Sequence, residues 1–224
     1  MMQREENIVQ SWSEVEDLGN GIYVYRDVLP ESLDLVNRLE KVLSNPNSEY
    51  NWIVAQVGYG QVMPDYRDCV DFKYKKSDLT DDGSESYNEL AKIWQQCYDR
   101  KAAAVDHYRS RFNIMDLKYW EAFNFIRYGE GQHFMEHHDH GYSYNCTVSL
   151  VCYLNDNYEG GELSFRLQGL KIKPKAGDMY VFPSNYMYPH VAEKVTSGIK
   201  YSLVTMLDYS AKYHTPEIYN NTED

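Results

Sequence analysis

Four of the chain's seven histidines crowd into one stretch: His133, His137, His138 and His140. Imidazole nitrogens bind divalent metals, but a single ion takes only some of these four. In an extended segment alternate residues share a face, so His137 and Asp139 project together while His138 points away. A third ligand then has to come from elsewhere. His107 falls in a long helical pattern and His214 in a polar tail, which leaves His190 as the strongest candidate. Two imidazoles and one carboxylate on one face of an octahedron leave three positions open, an arrangement suited to non-haem Fe(II). Zinc with three protein ligands is the chemical rival.

Lys200 lies ten residues beyond His190, and Ser202 two further on. If 199–207 is a strand, Lys200 and Ser202 share one side while Ile199, Tyr201 and Leu203 take the other. A lysine on the inward face of a small barrel is costly unless an anion pairs with it. A co-substrate carboxylate supplies such a partner, and the serine hydroxyl adds a hydrogen bond. A strand-edge lysine reaching solvent is the alternative. Tyr128 and Tyr153 are candidate donors to the same group, or else packing residues.

Several elements must position these groups. The run 21–25 reads as a short strand. Pro30-Glu31-Ser32 opens a helix in which Leu33, Leu35, Val36, Leu39 and Leu43 recur near helical spacing, and Asn45-Pro46 ends it. A longer helical pattern covers 86–111, with Leu90, Ile93, Trp94, Cys97 and Val105 near one stripe. Between them, 56–86 reads as mostly loop with a strand near Val70–Tyr74. Its Tyr59, Tyr66 and Arg67 make it a candidate substrate lid. From residue 116 onward, runs 119–128, 144–154, 162–167, 179–182 and 199–207 are β-rich and separated by Gly, Asn, Asp and Pro clusters. That is the pattern of an antiparallel sandwich or barrel, and helices preceding strands suggest an α+β, mainly β domain.

Composition narrows the function classes. The 224 residues, 43% hydrophobic and 25% charged, suffice for one domain with a substantial core. A net charge of −12 opposes non-specific attraction to phosphates, so nucleic acid is an unlikely partner. No run approaches a membrane span, and 1–13 is polar and acidic, without the apolar region of a signal peptide. A soluble, cytoplasmic protein is expected. Cys69, Cys97, Cys146 and Cys152 show no C-x-x-C spacing and read as buried free thiols.

The stretch Tyr128-Gly-Glu-Gly-Gln-His-Phe-Met-Glu-His137-His-Asp139 resembles the iron-binding motif of prolyl 4-hydroxylases. Tyr153-Leu-Asn-Asp, Glu159-Gly160-Gly161-Glu162-Leu163 and Lys173-Pro174-Lys175-Ala-Gly177-Asp178 follow in order. Last come His190, nine intervening residues, and Lys200-Tyr-Ser202. Order and spacing are similar to the 2-oxoglutarate/Fe(II) oxygenase superfamily in its prolyl-hydroxylase branch, in detail over 119–209.

The resemblance implies a double-stranded β-helix, or jelly-roll, braced by N-terminal helices. Taken with the loop reading, a single domain, 1–224, is expected to comprise helical support (1–115, with the candidate lid at 56–86), a catalytic jelly-roll (116–209) and a tail (210–224). The resemblance further implies Fe(II) on His137, Asp139 and His190, with Lys200 on the distal carboxylate of 2-oxoglutarate. Tyr128 and Tyr153 would contact that co-substrate, O2 is the second co-substrate, and ascorbate is an expected auxiliary. Phe134 departs from the family pattern, where tyrosine is common. The implied reaction hydroxylates a C–H bond, in a peptidyl proline by the family branch. A free amino acid, another small molecule or a nucleobase is the alternative substrate. A non-catalytic metal-binding jelly-roll is the reading from another class.

Overall fold

Two faces of one strand set the architecture. The computed structural model describes residues 10–58, 60–141 and 145–214. The strand Lys200–Asp208 turns Tyr201, Leu203 and Leu207 into a core shared with the helices. Lys200, Ser202, Val204 and Met206 face the opposite way, into a cavity. This strand is hydrogen-bonded to Phe123–Tyr128 on one side and Val148–Tyr153 on the other, both antiparallel. Met179–Pro183, Tyr23–Tyr25 and Val15–Asp17 extend the nine-stranded sheet at one edge, and Val70–Tyr74 and Ile53–Val54 at the other.

A second sheet has five strands, in the order Leu170–Ile172, Leu163–Phe165, His190–Ala192, His133–His137 and Arg67–Asp68. Val151, Tyr153, Tyr180 and Phe182 of the larger sheet pack against Leu163 and Phe165 of the smaller, which closes the two into a jelly-roll. The fold is therefore mainly β with few helices, as expected.

The helices cover the outer face of the larger sheet. Helix α1, Leu35–Leu43, buries Leu35, Leu39, Val42 and Leu43, residues about one turn apart. Helix α2, Glu85–Phe112, buries Leu90, Ile93, Cys97, Ala104, Val105 and Tyr108. Ser84 caps α2 by accepting from Tyr87 N at 3.0 Å, and Asn113 ends it in the left-handed region, at φ 50°. The expected start of the first helix at Pro30 is corrected. Glu31–Leu33 forms a separate 3₁₀ turn, and Asp34, at φ 51°, breaks the path before α1. Aspartate visits that region more readily than most residues, because its short side chain bonds locally, here to Asn37 at 2.6 Å.

The half expected to be helical support, 1–115, also contributes five strands. Segment 56–86 is less of a loop than its composition suggests. Val70–Tyr74 is the anticipated strand, and Arg67–Asp68 joins the smaller sheet, so one short segment serves both sheets. Tyr59 lies outside the described residues, as do Tyr144 and 215–224. The run 119–128 divides at Glu121 and Ala122 into Tyr119–Trp120 and Phe123–Tyr128. All four cysteines are free and buried. Among the described residues no helix is long and apolar enough to cross a membrane.

Lys101 of α2 is buried against the outer face of the larger sheet, at 0% exposure. Its ammonium donates to Thr205 Oγ1 at 2.8 Å and sits 3.3 Å from the centroid of Phe123. Burial pushes its pKa from the ordinary 10.5 down to about 8. The penalty is full below the folded value and relieved as pH rises toward the unfolded one, because the unfolded chain then holds more protons. Lys101→Met removes this dependence. Its stability advantage over the wild type should shrink by about 2–3 kcal/mol between pH 7 and pH 10, measured by chemical denaturation. A constant difference would show that burial leaves the amine unshifted.

Candidate active site

His133–His137 and His190–Ala192 are antiparallel neighbours, with His190 opposite His137. Register alone brings the two rings together, their centroids 4.3 Å apart. The strand ends at His137 and Asp139 stands in the bend beyond it, so strand alternation does not place this carboxylate as expected. Ser149, on the larger sheet, holds it instead. Its hydroxyl donates to Asp139 Oδ2 at 2.5 Å and lies 2.7 Å from Ser184 Oγ. Asp139 Oδ1 then faces both imidazoles, 3.7 Å from His137 Nε2 and 3.9 Å from His190 Nε2. One ligand atom from each of the three residues lies within 4.8 Å of the others.

The rings are oriented by their second nitrogens. His137 Nδ1 lies 2.8 Å from Met135 O, and His190 Nδ1 lies 3.1 Å from Tyr188 O. A carbonyl only accepts, so Nδ1 carries the hydrogen and each Nε2 presents a lone pair. Burial, with the His190 imidazole adding to it, pushes His137 down to about 3. Its ring is therefore neutral at pH 7, the form that ligates metal. The other histidines have other work. His140 Nδ1 contacts Cys146 O at 2.8 Å, His107 meets the Tyr25 hydroxyl at 2.9 Å, and His214 pairs with Asp208 at 3.1 Å. His138 stands outside the cluster.

The triad forms part of the wall of a cavity of about 100 Å³. Tyr128, Tyr153, Lys200 and Ser202 line the same cavity. Pairing sets Lys200 opposite Tyr128, and Ser202 opposite Tyr153. Lys200 is 1% exposed, donates to Gly161 O at 3.1 Å and lies 4.3 Å from the centroid of Tyr128. Neither neighbour is a carboxylate, and burial pushes its ammonium down to about 7. Burial also raises Tyr128 and Tyr153 well above the usual phenol range, so both remain hydroxyl donors. Phe134 stacks on His137 with centroids 3.6 Å apart and brings no hydroxyl to the cavity.

The cavity also contains residues that sequence reasoning missed or placed elsewhere. Spacing gives no sign of Asn124 and puts Arg67 in a candidate lid, yet both are lining residues. A polar residue on the inward face of an aromatic or apolar strand, as in Phe123–Tyr128 and Val148–Tyr153, is the signal that finds Asn124 and Ser149. A wider cleft of about 300 Å³ beside α2 shares no lining residue with this cavity. In it Arg109 pairs with Asp106 and Asp116.

The model of the 2OG-Fe(II) oxygenase superfamily matches residues 123–207, the span that carries the triad and Lys200. That stretch, about two fifths of the chain, is similar to the 2OG-Fe(II) oxygenase superfamily. Solved structures agree in fold. A Trichoplax adhaerens prolyl hydroxylase, in complex with a hypoxia-inducible factor peptide fragment, is similar with a TM-score of 0.68 at 16% identity, covering 91% of this chain and 88% of its own. A Pseudomonas putida prolyl-4-hydroxylase gives 0.61 at 21%, covering 84% and 92%. A viral collagen prolyl hydroxylase from Paramecium Bursaria Chlorella virus-1, in complex with 2OG, gives 0.57 at 20%, covering 84% and 96%. No curated protein matches the chain. The stretch matched by the oxygenase model thus sits on a prolyl-hydroxylase-like jelly-roll.

Ser149 gives the site a direct test. Groups that orient a ligand typically contribute 10–100-fold to metal affinity. Ser149→Ala should weaken anaerobic Fe(II) or Co(II) binding by about that factor, with an unchanged far-ultraviolet spectrum. Undiminished affinity would show that something else aims Asp139.

Proposed function

We propose that this protein is an oxygenase that hydroxylates a C–H bond of a peptidyl proline, with Fe(II) on His137, Asp139 and His190. 2-Oxoglutarate is consumed as co-substrate, and succinate and CO2 are released. The observation that carries this reading is a pair of features on one cavity wall: a braced His–Asp–His donor set, and a buried lysine without a carboxylate neighbour. The donor set fits a divalent iron, because both Nε2 atoms and Asp139 Oδ1 are turned to a common centre. When bound, iron and 2-oxoglutarate supply the oxidising chemistry with O2.

The chain's own residues bind, orient and exclude water. Lys200 would neutralise the distal carboxylate of 2-oxoglutarate. An ammonium is a compact charge without the planar fork of arginine, so the hydroxyls of Tyr128, Tyr153 and Ser202 would provide direction. Burial of the lysine keeps bulk water from competing for the anion. The proline reading is supported by the prolyl hydroxylases that share the fold, one of them holding a peptide. The net charge of −12 counts against a nucleic-acid substrate.

Protein supplied with Fe(II), 2-oxoglutarate and O2 should release succinate and add one oxygen atom to prolyl peptides, read by mass spectrometry on a peptide library. Oxygen appearing only on free amino acids or nucleobases would replace the proline reading. No succinate would leave a binding jelly-roll. Lys200→Ala should raise the 2-oxoglutarate KM by well over tenfold, since losing one partner of a desolvated charge pair costs about 2–5 kcal/mol. The pH dependence has a definite sign. Free Lys200 loses its charge as pH rises through about 7, so 2-oxoglutarate affinity should fall above that pH. In Lys200→Arg, which stays charged, the decline should flatten in an anaerobic titration.

A further inference from the structure

Two residues that line the cavity each keep one buried polar atom without an oxygen or nitrogen partner, although the Cys69 thiol lies against the Arg67 guanidinium. The two atoms are Arg67 Nε and Asn124 Oδ1. They are tied together. Arg67 Nη2 lies 2.7 Å from Asp71 Oδ2, and Asn124 Nδ2 approaches the same oxygen at 3.5 Å. Arg67 Nη1 is held by Gln56 O at 2.8 Å, and the guanidinium lies 5.0 Å from the centroid of Phe134, the ring stacked on His137. The Arg67 side chain is 10% exposed and that of Asp71 9%. Strand pairing sets Asp71 opposite Ile126, which lies opposite Ser202, and sets Asn124 opposite Val204. Asp71 and Asn124 therefore share the sheet face of Lys200, and Arg67 reaches Asp71 from the smaller sheet.

Its chemistry is specific. Exchanging the oxygen and nitrogen of Asn124 would set an amide oxygen against a carboxylate oxygen, so the oxygen is the atom left over. Asp71 already balances the charge of Arg67, whereas Lys200 has no carboxylate at its ammonium. A dicarboxylate is thus drawn to Lys200 and not to Arg67. What remains at Arg67 and Asn124 is one donor and one acceptor on a neutral site. A carboxylate or phosphate offers no hydrogen to Asn124 Oδ1, and a bare hydrocarbon ring meets neither atom. A peptide unit carries one C=O and one N–H, the complement of both.

We propose that Arg67 Nε and Asn124 Oδ1 form a neutral subsite that reads one peptide unit of the substrate beside the C–H bond to be oxidised. The inference rests on the oxygenase reading and narrows it to substrates with a free amide N–H at that place. Arg67 takes the carbonyl, Asn124 takes the N–H, and Asp71 positions both without touching substrate.

The test compares N-acetylproline methylamide with N-acetylproline methyl ester, which keeps the shape and the carbonyl but has no N–H. The readout is succinate release stimulated by each probe in the iron-loaded full chain with 2-oxoglutarate and O2. Wild-type protein should favour the amide by about tenfold in kcat/KM, the effect of one unmet buried hydrogen bond. In Asn124→Leu and Asn124→Ala the preference should collapse to within about twofold, and either variant, once shown to be folded, decides the point. Arg67→Lys keeps a cation beside Asp71 but lacks Nε, and should weaken both probes while retaining the amide preference. Equal use of the two probes by wild-type protein, an unchanged ratio in the Asn124 variants, or no stimulation by either probe overturns the proposal. Absence of succinate under every condition is a different result, and ends the oxygenase reading itself.

Discussion

A lysine held at 1% exposure, with a carbonyl and an aromatic ring as its neighbours, is the constraint on which the site depends. An unpaired charge in such a place is unfavourable, and burial lowers its proton affinity accordingly. Lys101 makes an instructive contrast, because it approaches the opposite face of the same strand through Thr205. There the surroundings are closed, and Phe123 fills the space beside the ammonium. Lys200 opens instead onto a cavity. Only a buried charge with room beside it can be relieved by an arriving anion, which makes the burial of Lys200 a binding device and that of Lys101 a standing penalty.

The rest of the site follows from register. Lys200 faces the cavity because Lys200–Asp208 pairs with Phe123–Tyr128 and Val148–Tyr153 in one alignment. A slip of one residue would send Lys200 into the helical core and bring Tyr201 to the cavity. The smaller sheet contributes the imidazoles through one cross-strand pair, His137 and His190. Ser149 then joins the sheets by reaching across to Asp139. The inter-sheet core of Val151, Tyr153, Leu163 and Phe165 fixes the separation over which that hydroxyl must reach.

How much of this was legible in the sequence follows from the range of each interaction. The period of α2 and the alternation of 199–207 are local patterns, so both elements were found within a residue or so. His137, Asp139 and His190 stand out in the sequence and do converge, yet alternation does not account for Asp139, since the strand stops at His137 and a serine from the other sheet aims the carboxylate. Strands of two or three residues such as Arg67–Asp68 and His190–Ala192 have no period to detect and exist because a partner strand accepts them. For the same reason the pairing of Arg67 with Asp71, and the approach of Asn124 to it, could not be read from spacing. They depend on which strands become neighbours.

The paired glycines show how a motif recognised by resemblance acquires a physical cause. Gly160 and Gly161 both adopt the left-handed region, at φ 66° and 63°, which most side chains avoid. A Cβ on Gly160 would collide with Lys194 O, just before the paired strand Val195–Ser197. A Cβ on Gly161 would stand 3.2 Å from Lys200 Cδ and 3.0 Å from Tyr158 Cε2. Yet Gly161 O is the atom to which Lys200 Nζ donates. The residue at 161 must therefore do two things: offer its carbonyl to the ammonium, and leave empty the space through which the lysine stem passes. A larger residue could offer the carbonyl only by displacing the stem that brings the charge to it, so the lysine and the glycine are requirements of one another.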